Sequence, residues 1–122
     1  MQRTDKSCAK SSGDCSMART LDTVGDSWSM LILRDATDTG HTKFEEFRKS
    51  LGVAPNVLTK RLDGLCEAGM MKRHAYSQHP PRDEYVLTEK GQAFKGVITA
   101  LKAFGDRWIP KPKPKPVKWR LG

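Results

Sequence analysis

Two short amphipathic segments meet across Gly52-Val53-Ala54, and this punctuation limits the fold more than any other feature of the chain. In the first segment Phe44, Phe47 and Leu51 recur at helical spacing, and Gly52 closes it. Thr42 is a good N-cap for that helix, with Glu45 three residues on as its capping-box partner. In the second segment Pro55 fits a first helical turn, where its missing N–H costs nothing. Val57, Leu58, Leu62 and Leu65 then face inward, and Ala68-Gly69 ends the run. Helices over Lys43–Leu51 and Pro55–Ala68, joined by so short a turn, read as a helix-turn-helix.

The period changes after Gly69. Met70 to Tyr76 reads as a strand and Asp83 to Thr88 as a second. Pro80 and Pro81 cannot sit in a central ladder, so Ser77 to Arg82 is expected to be a long loop with a basic tip. Upstream, Met17, Leu21 and Val24 follow helical spacing, and Gly25 ends that helix. Asp26 or Ser27 caps the next one, whose apolar side holds Trp28, Leu31, Ile32 and Ala36. Thr88 is expected to cap a last helix, with Phe94, Val97, Ile98, Leu101, Phe104 and Trp108 as a near-heptad stripe. The fold class is therefore mainly α with a small β-hairpin: a winged helix-turn-helix with extra N- and C-terminal helices. Three regions are expected: a polar arm over 1–14, a winged-helix domain over 15–109 and a Lys-Pro tail over 110–122 in polyproline II conformation.

The second helix of such a pair docks by its apolar face and leaves a polar face for the DNA major groove. That face holds Asn56, Thr59, Lys60 and Asp63, with Arg61 at the edge of the apolar stripe. Lys60 and Arg61 can reach guanine or phosphate, and Asn56 adenine or phosphate. Arg82 and the Lys72-Arg73 pair stand where a wing touches backbone or minor groove. With Thr42 and Lys43 they make the candidate DNA-binding set Thr42, Lys43, Asn56, Thr59, Lys60, Arg61, Lys72 and Arg82. The same charges also read as a solvated helix face. Net charge does not decide the matter. The formal charge is +8, but the tail contributes five basic residues and no acid, leaving 17 basic against 14 acidic residues elsewhere.

Several classes are disfavoured. His41, His74 and His79 are scattered, and no zinc-protease, nucleophile-elbow, P-loop or dinucleotide signature occurs. No catalytic residue, cofactor or metal ligand set is expected, and the chain does not read as an enzyme. Three cysteines, none at C-x-x-C spacing, argue against a disulfide framework or a zinc site. No apolar run is long enough for a membrane span, and no secretory signal opens the chain, so a cytoplasmic protein is expected.

The chain also resembles a known family, the HxlR-type winged-helix regulators, a branch near the MarR group. The residues that carry the resemblance begin at Cys15-Ser16-Met17-Ala18-Arg19-Thr20-Leu21-Asp22, Gly25-Asp26-Ser27-Trp28 and Leu31-Ile32-Leu33-Arg34. They continue through Lys43-Phe44-Glu45-Glu46-Phe47-Arg48, Val57-Leu58-Thr59-Lys60-Arg61-Leu62 and Leu65-Cys66-Glu67-Ala68-Gly69. They end with Pro80-Pro81-Arg82-Asp83-Glu84-Tyr85-Val86-Leu87-Thr88 and Gly91. The resemblance implies a homodimer on palindromic promoter DNA, with the end helices as the dimer interface: Met17, Leu21, Phe94, Val97, Ile98, Leu101, Phe104 and Trp108. It also makes Cys15 a redox-sensing candidate, since related proteins sense oxidants or electrophiles at a cysteine near the first helix. The other reading of Cys15 is a small half-buried side chain. Asn56 departs from the family, which carries a basic residue there, and the Lys-Pro tail is not part of its pattern. The expected partners are double-stranded DNA and a second copy, with any small-molecule effector left open. The alternative function is a protein–protein interaction module built on the same fold.

Overall fold

The computed structural model describes residues 15–112. The expected arm, 1–14, and most of the expected tail, 113–122, lie outside the described residues. Six helices and one hairpin follow in the order α1 (Ser16–Val24), α2 (Ser27–Asp38), α3 (Phe44–Leu51), α4 (Pro55–Glu67), β1 (Met71–Gln78), β2 (Pro81–Leu87), α5 (Glu89–Ala93) and α6 (Lys95–Trp108).

Local chemistry sets most of these boundaries. The Gly25 N–H closes α1 on the Leu21 carbonyl at 2.7 Å. Asp26, one of the two expected caps, starts α2 by accepting from the Ser29 N–H at 2.8 Å. Gly52 ends α3 at φ 65°, a left-handed conformation that a residue with a Cβ adopts only at a cost. Pro55 opens α4 as expected.

Three expectations need correction. Lys43, not Thr42, is the N-cap of α3. Glu46, not Glu45, reaches back, accepting from the Thr42 N–H at 2.9 Å and the Lys43 N–H at 3.0 Å. The Thr42 hydroxyl is committed elsewhere, donating to Glu84 Oε1 at 2.8 Å.

The hairpin is the second correction. Ser77 to Arg82 is not a long loop. The strands run on until Gln78 pairs with Pro81, leaving only His79-Pro80 as the turn. The sheet has two strands, so each is an edge strand, and Pro81 needs no inward N–H. The register slips between Ala75 and Ser77, which leaves Tyr76 bulged without a cross-strand partner.

The third concerns the last helix. Thr88 caps only the short α5, accepting from the Gly91 N–H at 3.1 Å, and Phe94 interrupts the helix before α6 begins. Gly91 is needed here by close approach: a Cβ there would lie 2.1 Å from the Met70 carbonyl oxygen.

The core lies between α2, α3 and α4, closed by the hairpin base and the start of α6. Ile32, Leu33, Phe47, Leu58, Leu62, Leu65 and Met71 are essentially inaccessible to water. Truncating a buried phenylalanine such as Phe47 costs roughly 3–5 kcal/mol, a large part of a small domain's stability. Trp28 packs half-buried against this core. The stripe from Phe94 to Trp108 divides. Phe94 and Ile98 are buried within the protomer, so these two are core residues and not an outer face. Val97, Leu101, Phe104 and Trp108 stay exposed.

Candidate nucleic-acid interface

The core that fixes α4 also decides which of its residues reach water. Leu58, Leu62 and Leu65 are buried, so Asn56, Thr59 and Lys60 are left exposed together on the opposite side. Val53, only 5% exposed, anchors the turn between α3 and α4 in the core. Ala54, the N-cap of α4, has no side-chain acceptor to occupy the first N–H groups. That end of the helix keeps its affinity for anions.

Arg61 is placed differently from its neighbours. Its Nε lies 3.4 Å from Asp26 Oδ2 at the start of α2, and its side chain is 37% exposed. Burial pushes the Asp26 carboxyl up, but the hydrogen bonds from Ser29 and the Arg61 charge outweigh that and hold it below its ordinary value. The pair ties α4 to the α1–α2 corner. Asp63 is likewise taken, by Arg73 of β1, whose guanidinium also stands 5.7 Å from the Tyr85 ring centre.

The wing is tied to the front of α3 by a short relay. The Thr42 hydroxyl bonds one oxygen of Glu84, and His74 Nδ1 lies 3.1 Å from the other. Both contacts hold the Glu84 carboxyl below the usual range. The Tyr85 N–H adds a backbone bond to the Thr42 carbonyl at 2.7 Å. Thr42 is therefore a fastener between wing and helix. Lys43 and Arg82 stay exposed and line one cleft of about 210 Å3 with Tyr76, Phe44, Glu45, Pro81 and Asp83. Lys72 is also exposed, on β1. Of the expected contact set, the structure leaves Lys43, Asn56, Thr59, Lys60, Lys72 and Arg82 open to a partner, and it engages Thr42 and Arg61 internally.

Sequence reasoning missed Asp26, Glu84 and Tyr76 as parts of this region. The first two act through residues distant in the chain. Tyr76 carried a signal: it is a large aromatic near the hairpin tip, where nothing in the sequence pattern called for one.

Among the described residues, no group of three or more metal-ligating side chains stands together, and no helix is long and apolar enough to cross a membrane. Cys15 is buried at the N-cap of α1. It lines a void of about 560 Å3 with Met17, Ala18, Leu21, Asp22, Gly25 and Asp26. Cys66 is half-buried, and burial pushes its thiol up, which keeps the reactive thiolate scarce there.

A helix pair with this turn, followed by a two-stranded wing, defines a winged helix-turn-helix protein. The comparisons make the assignment narrower. The HxlR-like helix-turn-helix family profile matches residues 23–113, and the chain belongs to that family. It is 39% identical over 105 residues to the uncharacterized HTH-type transcriptional regulator Rv3095 of Mycobacterium tuberculosis, covering 86% of this chain and 66% of that protein. The chain thus spans just under two thirds of that relative's length. YdeP of Bacillus subtilis, an uncharacterized HTH-type transcriptional regulator, is 36% identical over 95 residues, covering 77% of this chain and 73% of YdeP. Among solved structures, PA1607 superposes with a TM-score of 0.75 at 42% identity, covering 86% of this chain and 72% of that one. The redox regulator HypR in its oxidized form gives a TM-score of 0.70 at 30% identity, covering 80% of this chain and all of its own.

Proposed function

We propose that this protein is a cytoplasmic transcriptional regulator that binds palindromic promoter DNA as a homodimer. Each protomer lays the Asn56, Thr59 and Lys60 face of α4 in a major groove. Lys43, Lys72 and Arg82 sit on the flanking backbone. Residues 15–109 form the working domain, and the Lys-Pro tail adds sequence-independent attraction. One observation carries the reading: α4 presents its polar residues as an exposed face while its leucines are fully buried behind them. The names of the relatives, HTH-type transcriptional regulators, support it.

The dimer has its own support. Met17 (70% exposed) and Leu21 of α1 and Val97, Leu101, Phe104 and Trp108 (63%) of α6 are large apolar side chains open to water. Both helices line a common cleft, α1 through Ser16, Thr20 and Thr23 and α6 through Val97. A patch of this kind on a small soluble domain marks an interface, and a second copy is the simplest occupant.

Salt dependence tests the DNA reading against a protein–protein module. Binding to a short duplex, selected by the protein from a random pool, is expected to fall linearly in log K against log salt, by about 0.9 per phosphate contact. Fluorescence anisotropy over a salt series measures it. A flat line would favour the protein-interaction reading.

The proposal includes a redox response at Cys15. Its thiol stands at the N-cap of α1, and the void beside it admits a small oxidant or electrophile. HypR, a structural relative, is a redox regulator. Treatment with diamide is expected to change duplex affinity of the wild type and leave Cys15→Ser unaffected. An equal response in both proteins would remove Cys15 as the sensor.

A further inference from the structure

Tyr76 is unexplained by everything above. It is 43% exposed and lies in the hairpin, away from the α1 and α6 rows that a second copy would cover. The register slip in β1 leaves it without a cross-strand neighbour. The bulge re-aims its side chain toward the front of α3, where the Lys43 ammonium stands 4.9 Å from the centre of its ring. Arg82, on the facing strand, lines the same cleft of about 210 Å3. One aromatic ring, a cation from the helix pair and a cation from the wing thus line one cleft.

Two acids share the cleft. Glu45 is already taken by Arg48, whose Nε donates to it at 2.9 Å. Asp83 also lines the cleft, and the Glu46 and Glu84 carboxylates lie near enough to feel the Lys43 charge, though both are held by hydrogen bonds of their own. Lys43 and Arg82 both stay exposed, and neither makes an ion pair among the described residues, so each has a charge to offer a single anionic group; on a DNA-facing surface that group is a backbone phosphate.

We propose that Tyr76 is a phosphate-contacting residue of the wing. Its phenol donates to a DNA phosphate oxygen seated between Lys43 and Arg82, and its ring face holds the Lys43 ammonium beside that seat. The inference rests on the DNA-binding reading and adds the residue that joins helix and wing into one backbone contact. Tyr76 contributes a neutral donor, and so displaces no counterion of its own.

Two substitutions separate the parts of this claim. Tyr76→Phe keeps the ring and removes the donor. It is expected to weaken binding of the selected duplex about ten- to a hundredfold, the size of a lost hydrogen bond to a charged acceptor, with the salt slope unchanged. Tyr76→Ala also releases Lys43, so binding falls further and the slope drops by about 0.9 for each protomer, about 1.8 for the dimer. Circular dichroism and thermal unfolding check that both variants keep the fold. A Phe variant that binds as tightly as the wild type would overturn the phenol contact. An Ala variant with the wild-type slope would overturn the placing of Lys43. Failure of the wild type itself to bind duplex in a salt-dependent way would count against DNA binding as a whole, an outcome distinct from either.

Discussion

Lys60→Glu is expected to abolish specific duplex binding while leaving the fold intact. Lys60 is exposed on α4 and lies beside Asn56 and Thr59, so its replacement disturbs no core contact. A good side-chain contact to a base edge is worth about 1–3 kcal/mol. Glutamate removes that contact and sets a like charge against the phosphates. A dimer on two half-sites suffers the loss twice. The lost contacts alone come to about 2–6 kcal/mol, or roughly one and a half to four orders of magnitude in affinity, before the added repulsion. Anisotropy titration of the selected duplex reads the affinity, and thermal unfolding checks the fold. Binding within a few-fold of the wild type, with an unchanged melting curve, would place the reading face elsewhere.

The second large effect concerns assembly. The double substitution Leu101→Glu and Phe104→Glu is expected to give a folded monomer. Both side chains are exposed in the single protomer, at 50% and 59%, so its own core loses little. In a dimer the same positions would bury charge against apolar neighbours, which costs far more than the association gains. Two linked recognition helices bind more tightly than one by about 10²–10⁴-fold, and the monomer forfeits that factor. Light scattering after size exclusion gives the mass, and anisotropy gives the affinity. A variant that remains dimeric with wild-type affinity would show that α6 is not the interface.

The sequence made the helix-turn-helix legible because its signals are local. Gly52, Pro55 and the leucine spacing of α4 act within a few residues, and the structure places them where those signals point. What could not be read depends on partners far along the chain. Thr42 has the chemistry of a cap, and both Glu45 and Glu46 can reach back. The bond from Thr42 to Glu84 removes its hydroxyl from that competition, and the cap moves to Lys43. Arg61 reads as an edge-of-stripe cation until Asp26 is found beside it. The rule against proline in a central ladder is sound, but in a two-stranded sheet it has no central ladder to act on. The apolar stripe of the last helix was visible, but the break at Phe94 was not. Beside it Gly91 packs on the Met70 carbonyl, a contact between distant residues that no local pattern announces. Periodicity also could not divide the stripe into core and outer face, since Phe94 and Ile98 differ from Leu101 and Phe104 only in what lies against them.

Everything turns on whether the open side of the Pro55–Glu67 helix enters the groove that exposes guanine N7. Dimethyl sulfate footprinting of the selected duplex reads that atom directly. The wild type is expected to protect two clusters of guanines about one helical turn, roughly 34 Å, apart, and the Asn56→Ala, Lys60→Ala double variant, brought to equal occupancy, to leave them reactive. Protection that persists unchanged in the double variant, or its absence in a tightly bound wild-type complex, would contradict the assignment.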